Sequence, residues 1–424
     1  MVTNLPGWVC GGMQPRFVVL LAVLGACGDD GARELPDAPM VDGDTLVDVP
    51  SGGSVTVTAW TGNASRDPEA IVLFQTASGS LVSRVVADAN GVAAGDVPAG
   101  GMVTVVQSGG ITTIVQVAGG DAIAVGANVT FTPGSATVTL PAAPGGTTNH
   151  QVFAACGSGS SAGTSVPISM FTACLQPAAV VAVARAGSTT QAFLVEDAAI
   201  TEGSTTTLTG AWVTPAQFTA AIENLPASVT RALAAAGSRV GTTTVYALPT
   251  DLPAPSGGTT TGTLAVPPAF GDGTDLGYFI GRGFEAYQQG YESVTGTRTT
   301  HTFDGSHLLP WIESMEGKNN GVVWTQSSGD SYDGAIATFD FNYKGSTLLE
   351  WRVILPESAR QFTLPTLPDD IELPSEAQET EVHVELVESS AFDYAQMRAI
   401  GGSTRFRRDS EMPAVRTLRS SSLD

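Results

Sequence analysis

The chain has 424 residues, which is long enough for about two to four domains. Asp and Glu total 41 against 19 Lys and Arg, which gives a formal net charge of −22. This acidity, with no basic cluster interleaved with aromatic residues, excludes nucleic acid as a partner. Charged residues make up only 14% of the chain, and Gly, Thr and Val are frequent, which is typical of an all-β protein with many turns.

The first predicted element is a secretory leader. An apolar run over residues 17–24 ends in small residues before Cys27, and it is shorter than the roughly 20 apolar residues of a membrane span. Leu24-Gly25-Ala26-Cys27 resembles the lipobox of bacterial lipoproteins. The resemblance implies that a signal peptide, residues 1–26, is removed, that the Cys27 thiol receives a diacylglyceryl group and that the new amino group is acylated. An apolar core strand that precedes a cysteine by chance is the alternative.

The residues next to this motif refine the prediction. Because residues 1–15 carry no charge, whereas Met13 begins a short segment with Arg16, translation is expected to start at Met13. In enterobacterial lipoproteins an Asp after the lipidated cysteine favours the inner membrane. Since Gly28 stands there, the resemblance implies an outer-membrane anchor that faces the periplasm or the cell surface. Residues 27–46 are acidic without apolar periodicity, which predicts a flexible, disordered tether.

Short β-strands are predicted over residues 47–125. Polar and apolar residues alternate over residues 54–59, so the apolar ones share one face. The run from Asp88-Ala89-Asn90-Gly91 to Val97-Pro98-Ala99-Gly100 places a strand between two turn signals. It resembles the carboxypeptidase-regulatory-like β-sandwiches, which implies a structural or binding module without catalysis.

A second β-sandwich is predicted over residues 127–211. With Cys10 in or before the leader and Cys27 assigned to the lipid, Cys156 and Cys174 remain as an even pair in an oxidising compartment, which predicts a disulfide. The bond would close a Gly- and Ser-rich loop and would contribute about 3 kcal/mol by restricting the unfolded chain. Two cysteines alone cannot form a tetrahedral zinc site.

The composition changes near Trp212. Residues 28–211 contain 6 Phe, Trp and Tyr and residues 212–424 contain 21, which predicts a third, larger β domain over residues 212–400. Ala-rich residues 218–222 and 229–236 would suit a helix, but their β surroundings favour strands. Beyond residue 400, arginines mix with serines and few apolar residues, which predicts a disordered tail, residues 401–424.

Two patterns are candidates for catalysis or metal binding. Gly159-Ser160-Ser161-Ala162-Gly163 matches G-x-S-x-G, the pattern of a nucleophile elbow. That elbow needs a strand before the nucleophilic serine and a helix after it. Because this tract is rich in Gly and Ser, a structural loop is favoured instead. His301 and His307 flank Asp304-Gly305 and supply zinc-ligand types. Because Asp304-Gly305 also predicts a two-residue hairpin, in which His307 would face Thr302 and the imidazoles would not converge, a solvated hairpin is favoured.

An aromatic cluster is the candidate glycan platform. Exposed rings stack on the C–H faces of sugars, whereas buried rings pack a core, and core packing is favoured. Exposure of Tyr287 and Tyr291 would favour glycan binding. The cluster comprises Tyr278, Phe279, Phe284, Tyr287 and Tyr291.

These patterns predict an all-β protein with tandem immunoglobulin-like β-sandwich domains behind a lipoprotein signal peptide and a disordered acidic tether. Its expected role is that of a structural or partner-binding lipoprotein of the cell envelope, without catalytic residues, metal or cofactor. Its expected partners are the membrane, through the lipid on Cys27, and a glycan or an envelope protein. A carbohydrate-binding protein is the second hypothesis, and a hydrolase or metalloenzyme centred on Ser161 or on His301 and His307 is the third.

Overall fold

The fold is all-β, as the composition predicts. The computed structural model describes residues 51–423 except 62–64, 127–133, 155–156, 171–177, 241–242, 247–249, 269–272, 283–285, 297, 319, 344–345, 375–378, 391–392 and 402–416. Within that part the chain forms 29 strands and one short helix. The leader, Cys27 and the whole acidic tether lie outside the described residues, so their predictions stay predictions.

The first seven strands form two facing sheets around one core. They are β1 Gly53–Trp60, β2 Ile71–Gln75, β3 Leu81–Val86, β4 Val92–Val97, β5 Met102–Gln107, β6 Gly110–Ile114 and β7 Ala122–Gly126. One sheet has the order β4-β1-β7, and the other four strands belong to a larger sheet. Val55, Val57 and Ala59 of β1 are fully buried against Phe74 and Val105 across the sandwich, which confirms the predicted alternation.

The predicted Asp88 turn is also confirmed. The Asp88 carboxylate accepts hydrogen bonds from the backbone N–H of Asn90 at 2.8 Å and of Val92 at 2.9 Å. Gly91 has φ +69°, a conformation that glycine adopts without strain. These bonds hold the pKa of Asp88 below its usual value, the Val92 bond contributing most.

The second group of strands forms one curved sheet that closes on itself. Its strands are β8 Gly134–Thr139, β9 Asn149–Ala154, β10 Gly157–Ser161, β11 Ser165–Met170, β12 Ala178–Ala186, β13 Thr189–Ala198 and β14 Thr205–Thr207, in the order β13-β12-β9-β10-β11-β8-β14. Beyond β14, Leu208 donates to the Thr139 carbonyl, and Val213 and Phe193 exchange backbone hydrogen bonds. This segment therefore joins both edges of the sheet around an apolar core that includes Val138, Val152 and Leu194.

The tract between the two cysteines is more ordered than its composition indicates. Cys156 and Cys174 lie outside the described residues, so their disulfide stays a prediction. Between them, β10 and β11 pair with each other, and Gly157 lies opposite Met170. A side chain at Gly159 would collide with the Pro167 carbonyl, so glycine here permits close approach of two strands rather than loop flexibility.

The third group begins with eight strands. They are β15 Ala216–Glu223, β16 Arg231–Val240, β17 Thr243–Tyr246, β18 Thr250–Asp251, β19 Thr260–Val266, β20 Gly273–Arg282, β21 Ala286–Thr295 and β22 Thr300–Asp304. The Ala-rich segments are strands, as predicted. Ala232, Ala234 and Ala236 of β16 are buried in one core with residues of β15, because pairing with distant strands outweighs the local helix propensity of alanine.

The last group completes the fold. It comprises β23 Ile312–Lys318, β24 Gly321–Gln326, β25 Gly334–Tyr343, β26 Ser346–Pro356, β27 Gln361–Thr363, β28 Glu379–Ser389, α1 Tyr394–Ala399 and β29 Thr417–Leu423. Helix α1 begins with a capping box, in which Asp393 accepts from the Gln396 backbone N–H and the Gln396 side chain accepts from that of Asp393.

A large sheet crosses the predicted domain boundaries. Its order is β17-β16-β20-β21-β29-β28-β25-β26-β6-β5-β2-β3, with β18 paired to β16. Parallel pairing of β6 with β26 joins the first sandwich to the C-terminal strands, and β29 joins β21 to β28. Two three-stranded sheets, β19-β15-β22 and β23-β24-β27, complete the architecture. The boundaries at 125, 211 and 400 remain predictions, but backbone hydrogen bonds connect the segments across them.

Two local predictions were wrong. Residues 417–423 of the predicted disordered tail form β29, because a strand held between two neighbours gains ladder hydrogen bonds that do not depend on apolar side chains. The predicted hairpin around Asp304-Gly305 is also absent from the described structure. Instead, β22 runs parallel to β15, and Gly305 donates to the Glu223 carbonyl at 2.7 Å.

Candidate functional site

An acidic cleft lies at one end of the C-terminal strands. Its volume is about 340 Å³, and we refer to it as the acidic cleft. The loop between β24 and β25 supplies four lining residues, Glu357 follows β26 and Glu388 lies in β28. Since the segments are brought together only by strand pairing, no local sequence pattern indicates the cleft. Its lining residues are Asp330, Ser331, Tyr332, Asp333, Glu357 and Glu388.

Tyr332 fixes the loop that forms the cleft. Its ring is buried, and its hydroxyl lies 2.8 Å from the Glu357 carbonyl oxygen and 3.1 Å from Oε1 of Gln326. Arg360 donates to the same hydroxyl at 2.9 Å. Burial raises the pKa of Tyr332, so the hydroxyl stays protonated. The loop is therefore tied to the end of β26 and is held in one conformation.

Asp333 is the electrostatically perturbed group of the cleft. Burial raises its pKa to about 6, and the carboxylates of Glu388, Asp393 and Glu357 add to this shift. The Ser389 backbone N–H donates to Asp333 Oδ2 at 2.7 Å, and this hydrogen bond opposes the rise in the pKa of Asp333. Asp333 therefore keeps its proton to a higher pH than an ordinary Asp, and the acidic cleft favours positive charge nearby.

The lining of the acidic cleft is polar and rich in carboxylates. Its carboxylates are of the type that Ca²⁺ and Mg²⁺ take, but no group of three His, Cys, Asp or Glu in the described part of the chain could hold a metal ion. Neither histidine nor cysteine is among its described lining residues.

The structure separates the two candidate zinc ligands. His301 Nε2 lies 3.2 Å from Glu292 Oε2, and its ring packs edge-on against Phe303. Burial lowers the pKa of His301, while Glu292 opposes that shift. His307 is exposed, and its Nδ1 lies 3.3 Å from Asp330 Oδ2 at the rim of the acidic cleft. The two imidazoles thus contact different carboxylates.

Ser161 does not lie in a strand-to-helix turn. It ends β10, and β11 follows after a three-residue connection. Its Oγ accepts from the Gly163 backbone N–H at 3.1 Å, which stabilises the turn. His150 lies opposite Ser161 in the register, but it is buried and its ring centroid lies 6.2 Å from that of Trp212. The geometry is that of a β-hairpin.

The aromatic cluster is largely packed inward. Phe279 is buried and stacks on Tyr287 with centroids 5.1 Å apart, and Tyr278 packs edge-on against Phe303 at 4.9 Å. Tyr287 and Tyr291 are half-buried rather than exposed. Phe284 lies outside the described residues. Tyr287 and Tyr291 therefore lack the exposure that glycan binding through this cluster would require.

Comparison with known proteins leaves the family open. No family model and no curated protein matches the sequence. The Bacillus anthracis TIE protein is similar over 60% of this chain and 50% of its own, at 8% identity and a TM-score of 0.16. BcpA, the major pilin subunit of Bacillus cereus, is similar over 60% of this chain and 98% of its own, at 10% identity and a TM-score of 0.16. The Streptococcal ancillary pilin has 8% identity and a TM-score of 0.12.

Similarity at this level carries no argument about activity or partners, and the chain spans about half the length of the first of these proteins. Strand pairing defines the fold. Within the described residues, no helix has both the length and the apolar character needed to cross a membrane.

Proposed function

We propose that the chain is a structural or partner-binding lipoprotein of the bacterial cell envelope, held at the outer membrane by lipid on Cys27, and that it has no catalytic activity. The observation that carries the anchoring is the sequence Leu24-Gly25-Ala26-Cys27 after a short apolar run. A single acyl chain gives only marginal membrane binding, so the two or more chains that a lipobox cysteine carries are what such an anchor needs.

The pairing of distant segments supports the structural part of the proposal. One hydrogen-bonded sheet runs from β3 to β17 and takes strands from residues 71–114 and from residues 231–423. Backbone hydrogen bonds between strands thus hold distant segments of the chain in one sheet. The acidic cleft and the general acidity suit contact with a basic partner segment or with solvent.

Fractionation of cells that express the chain tests the anchor. Cys27→Ser should move the protein from the membrane fraction to the soluble fraction and should abolish labelling by a fatty-acid analogue. Cys10→Ser is the matched control, because it replaces a cysteine before the apolar run and should change neither result. Retention of the Cys27→Ser protein in membranes would contradict the proposal.

Assays of the purified protein test the absence of catalysis. Ester, peptide and glycan substrates should be turned over only at background rates. Two observations support this expectation: Ser161 Oγ accepts a turn hydrogen bond from the Gly163 N–H, and the imidazoles of His301 and His307 contact different carboxylates. Turnover that disappears on substitution of Ser161, His301 or His307 would overturn this part of the proposal.

A further inference from the structure

Strand β29 lies in a slot between strands β21 and β28 of the large sheet. It pairs antiparallel with β21 on one side, from Glu292 opposite Thr417 to Ala286 opposite Leu423. On the other side it pairs antiparallel with β28, from Ser389 opposite Leu418 to Val384 opposite Leu423. In the described structure, β29 connects the part of the sheet that ends at β21 with the part that begins at β28. Without it, both β21 and β28 would present unpaired backbone groups.

The slot recognises mainly backbone and small residues. Four of the seven residues of β29 are Thr or Ser, and Ser422 is buried. The backbone register places position 419 between Gly290 of β21 and Glu388 of β28. Any strand with this pattern would make the same hydrogen bonds, and the β29 of another copy has the same pattern by identity.

The chain between α1 and β29 is long enough for exchange. Residues 402–416 separate Gly401 from Thr417, and fifteen extended residues span at most about 50 Å. A strand on such a connection can reach a neighbouring molecule as well as its own slot. Since the strand makes the same contacts in either slot, protein concentration decides between the two arrangements.

We propose that the slot between β21 and β28 accepts β29 from a second copy of this chain, so that copies are linked by strand exchange. The partner is thus another molecule of the same protein, recognised by β-strand addition. This inference goes beyond the envelope role, because it holds whether or not the chain carries a lipid.

Refolding of the full chain at high and at low concentration, followed by size-exclusion chromatography with light scattering, tests the inference. The wild type should form dimers or larger species in a fraction that rises with the refolding concentration. Ser420→Pro should reduce that fraction at least about tenfold, because proline removes a ladder donor in the middle of β29. Ser420→Thr keeps the donor and is the matched control, which should behave like the wild type.

A second measurement separates a lost strand from a lost fold. A fluorescent peptide of residues 415–424 should bind the Ser420→Pro chain, whose slot is empty, at least about tenfold more than the Ser420→Thr chain. If Ser420→Pro does not fold alone, refolding with the peptide should restore its circular dichroism. Failure of the peptide to bind or to restore the fold would overturn the inference. So would wild-type chains that stay monomeric at every concentration, or association that Ser420→Pro leaves unchanged.

Discussion

At the scale of single residues, glycine decides how closely the two sheets of the first sandwich approach. Gly95 in β4 lies over the ring of Phe74 in β2, which is fully buried. A Cβ at position 95 would lie 2.5 Å from two atoms of that ring. Since Phe74 has no room to move, the position requires glycine.

The first prediction is that Gly95→Ala destabilises the fold. Overpacking a well-filled core costs about 1–3 kcal/mol, so the free energy of unfolding should fall by that amount in denaturant titrations. Gly145→Ala is the control, because a Cβ there meets nothing within 4 Å; its effect should stay within about 0.5 kcal/mol. Equal stability of the two variants would contradict the packing argument.

The second prediction concerns Asp333, whose pKa is about 6 in the folded protein against 3.8 as the ordinary value. Between those values the folded state holds a proton that the unfolded state has released, so stability falls as the pH rises from about 4 to about 6. Asp333→Asn keeps an acceptor for the Ser389 N–H and removes the charge. It should therefore raise the melting temperature at about pH 7.5 and have little effect at about pH 4.

The melting temperatures of wild type and Asp333→Asn across this pH range provide the measurement. Asp88→Asn is a useful contrast, because the pKa of Asp88 is lowered in the folded protein. The Asp88 carboxylate therefore stabilises the fold at pH values above its ordinary pKa, and this stabilisation is lost as the pH falls below that pKa. A difference between wild type and Asp333→Asn that is the same at all pH values would show that Asp333 carries no raised pKa.

Residues differ in how far the sequence could predict them. The Asp88 turn was predictable because its partners lie within four residues. The acidic cleft was not, because Asp333, Glu357 and Glu388 meet only after strands 24 to 55 residues apart in sequence have paired. The only local sign of the acidic cleft in the sequence is the polar, acidic stretch of residues 327–333 between two alternating strands. Such a stretch is equally typical of an ordinary loop.

At the scale of elements, the parallel contact between β6 and β26 is stabilised by a buried polar network. Trp351 Nε1 donates to Thr113 Oγ1 at 3.0 Å, and Thr113 Oγ1 lies 2.9 Å from Thr104 Oγ1. Thr104 in turn donates to Gln75 Oε1 at 2.7 Å. These four side chains are essentially inaccessible to solvent. The network connects strands that the predicted boundaries assign to different domains.

The third prediction is that Thr113→Val weakens this junction. The substitution preserves shape but leaves the buried Trp351 N–H without its acceptor, which costs about 1–3 kcal/mol. Thr112→Val, at the neighbouring half-buried position, is the control and should change stability by less than about 0.5 kcal/mol. Denaturant titration provides the measurement, and equal effects of the two substitutions would contradict the role of the network.

The fourth prediction is the disulfide between Cys156 and Cys174. Mass spectrometry of non-reduced peptides from exported protein should link the two, and Cys156→Ser should lower stability by about 3 kcal/mol. Between the two cysteines, β10 and β11 pair with each other, with Gly157 opposite Met170. Two free thiols in freshly isolated protein would rule the bond out.

Elements also show where patterns mislead. Alternation correctly predicted β1, because one face of the strand is buried. Asp304-Gly305 suggested a hairpin, but β22 pairs with β15, which lies about 80 residues earlier and leaves no local signal. For β29, a polar sequence indicated disorder although the strand is held by two neighbours.

At the scale of the whole molecule, the β composition and the low content of charged residues predicted the fold class. They could not predict that one sheet would run through several segments, because strand order depends on long-range pairing. The core around β1 includes Ile336, Ile354, Val387 and Met397 from the C-terminal strands and helix. Segments that differ in composition are thus parts of a shared core.

The fifth prediction is the lipid anchor, which is the central claim about function. Mass spectrometry of protein extracted from membranes with detergent tests it most directly. The account predicts a mature chain that begins at Cys27 and carries a thioether-linked diacylglyceryl group and an amide-linked acyl chain. A membrane-extracted chain that retains residues before Cys27, or whose Cys27 is unmodified, would contradict it.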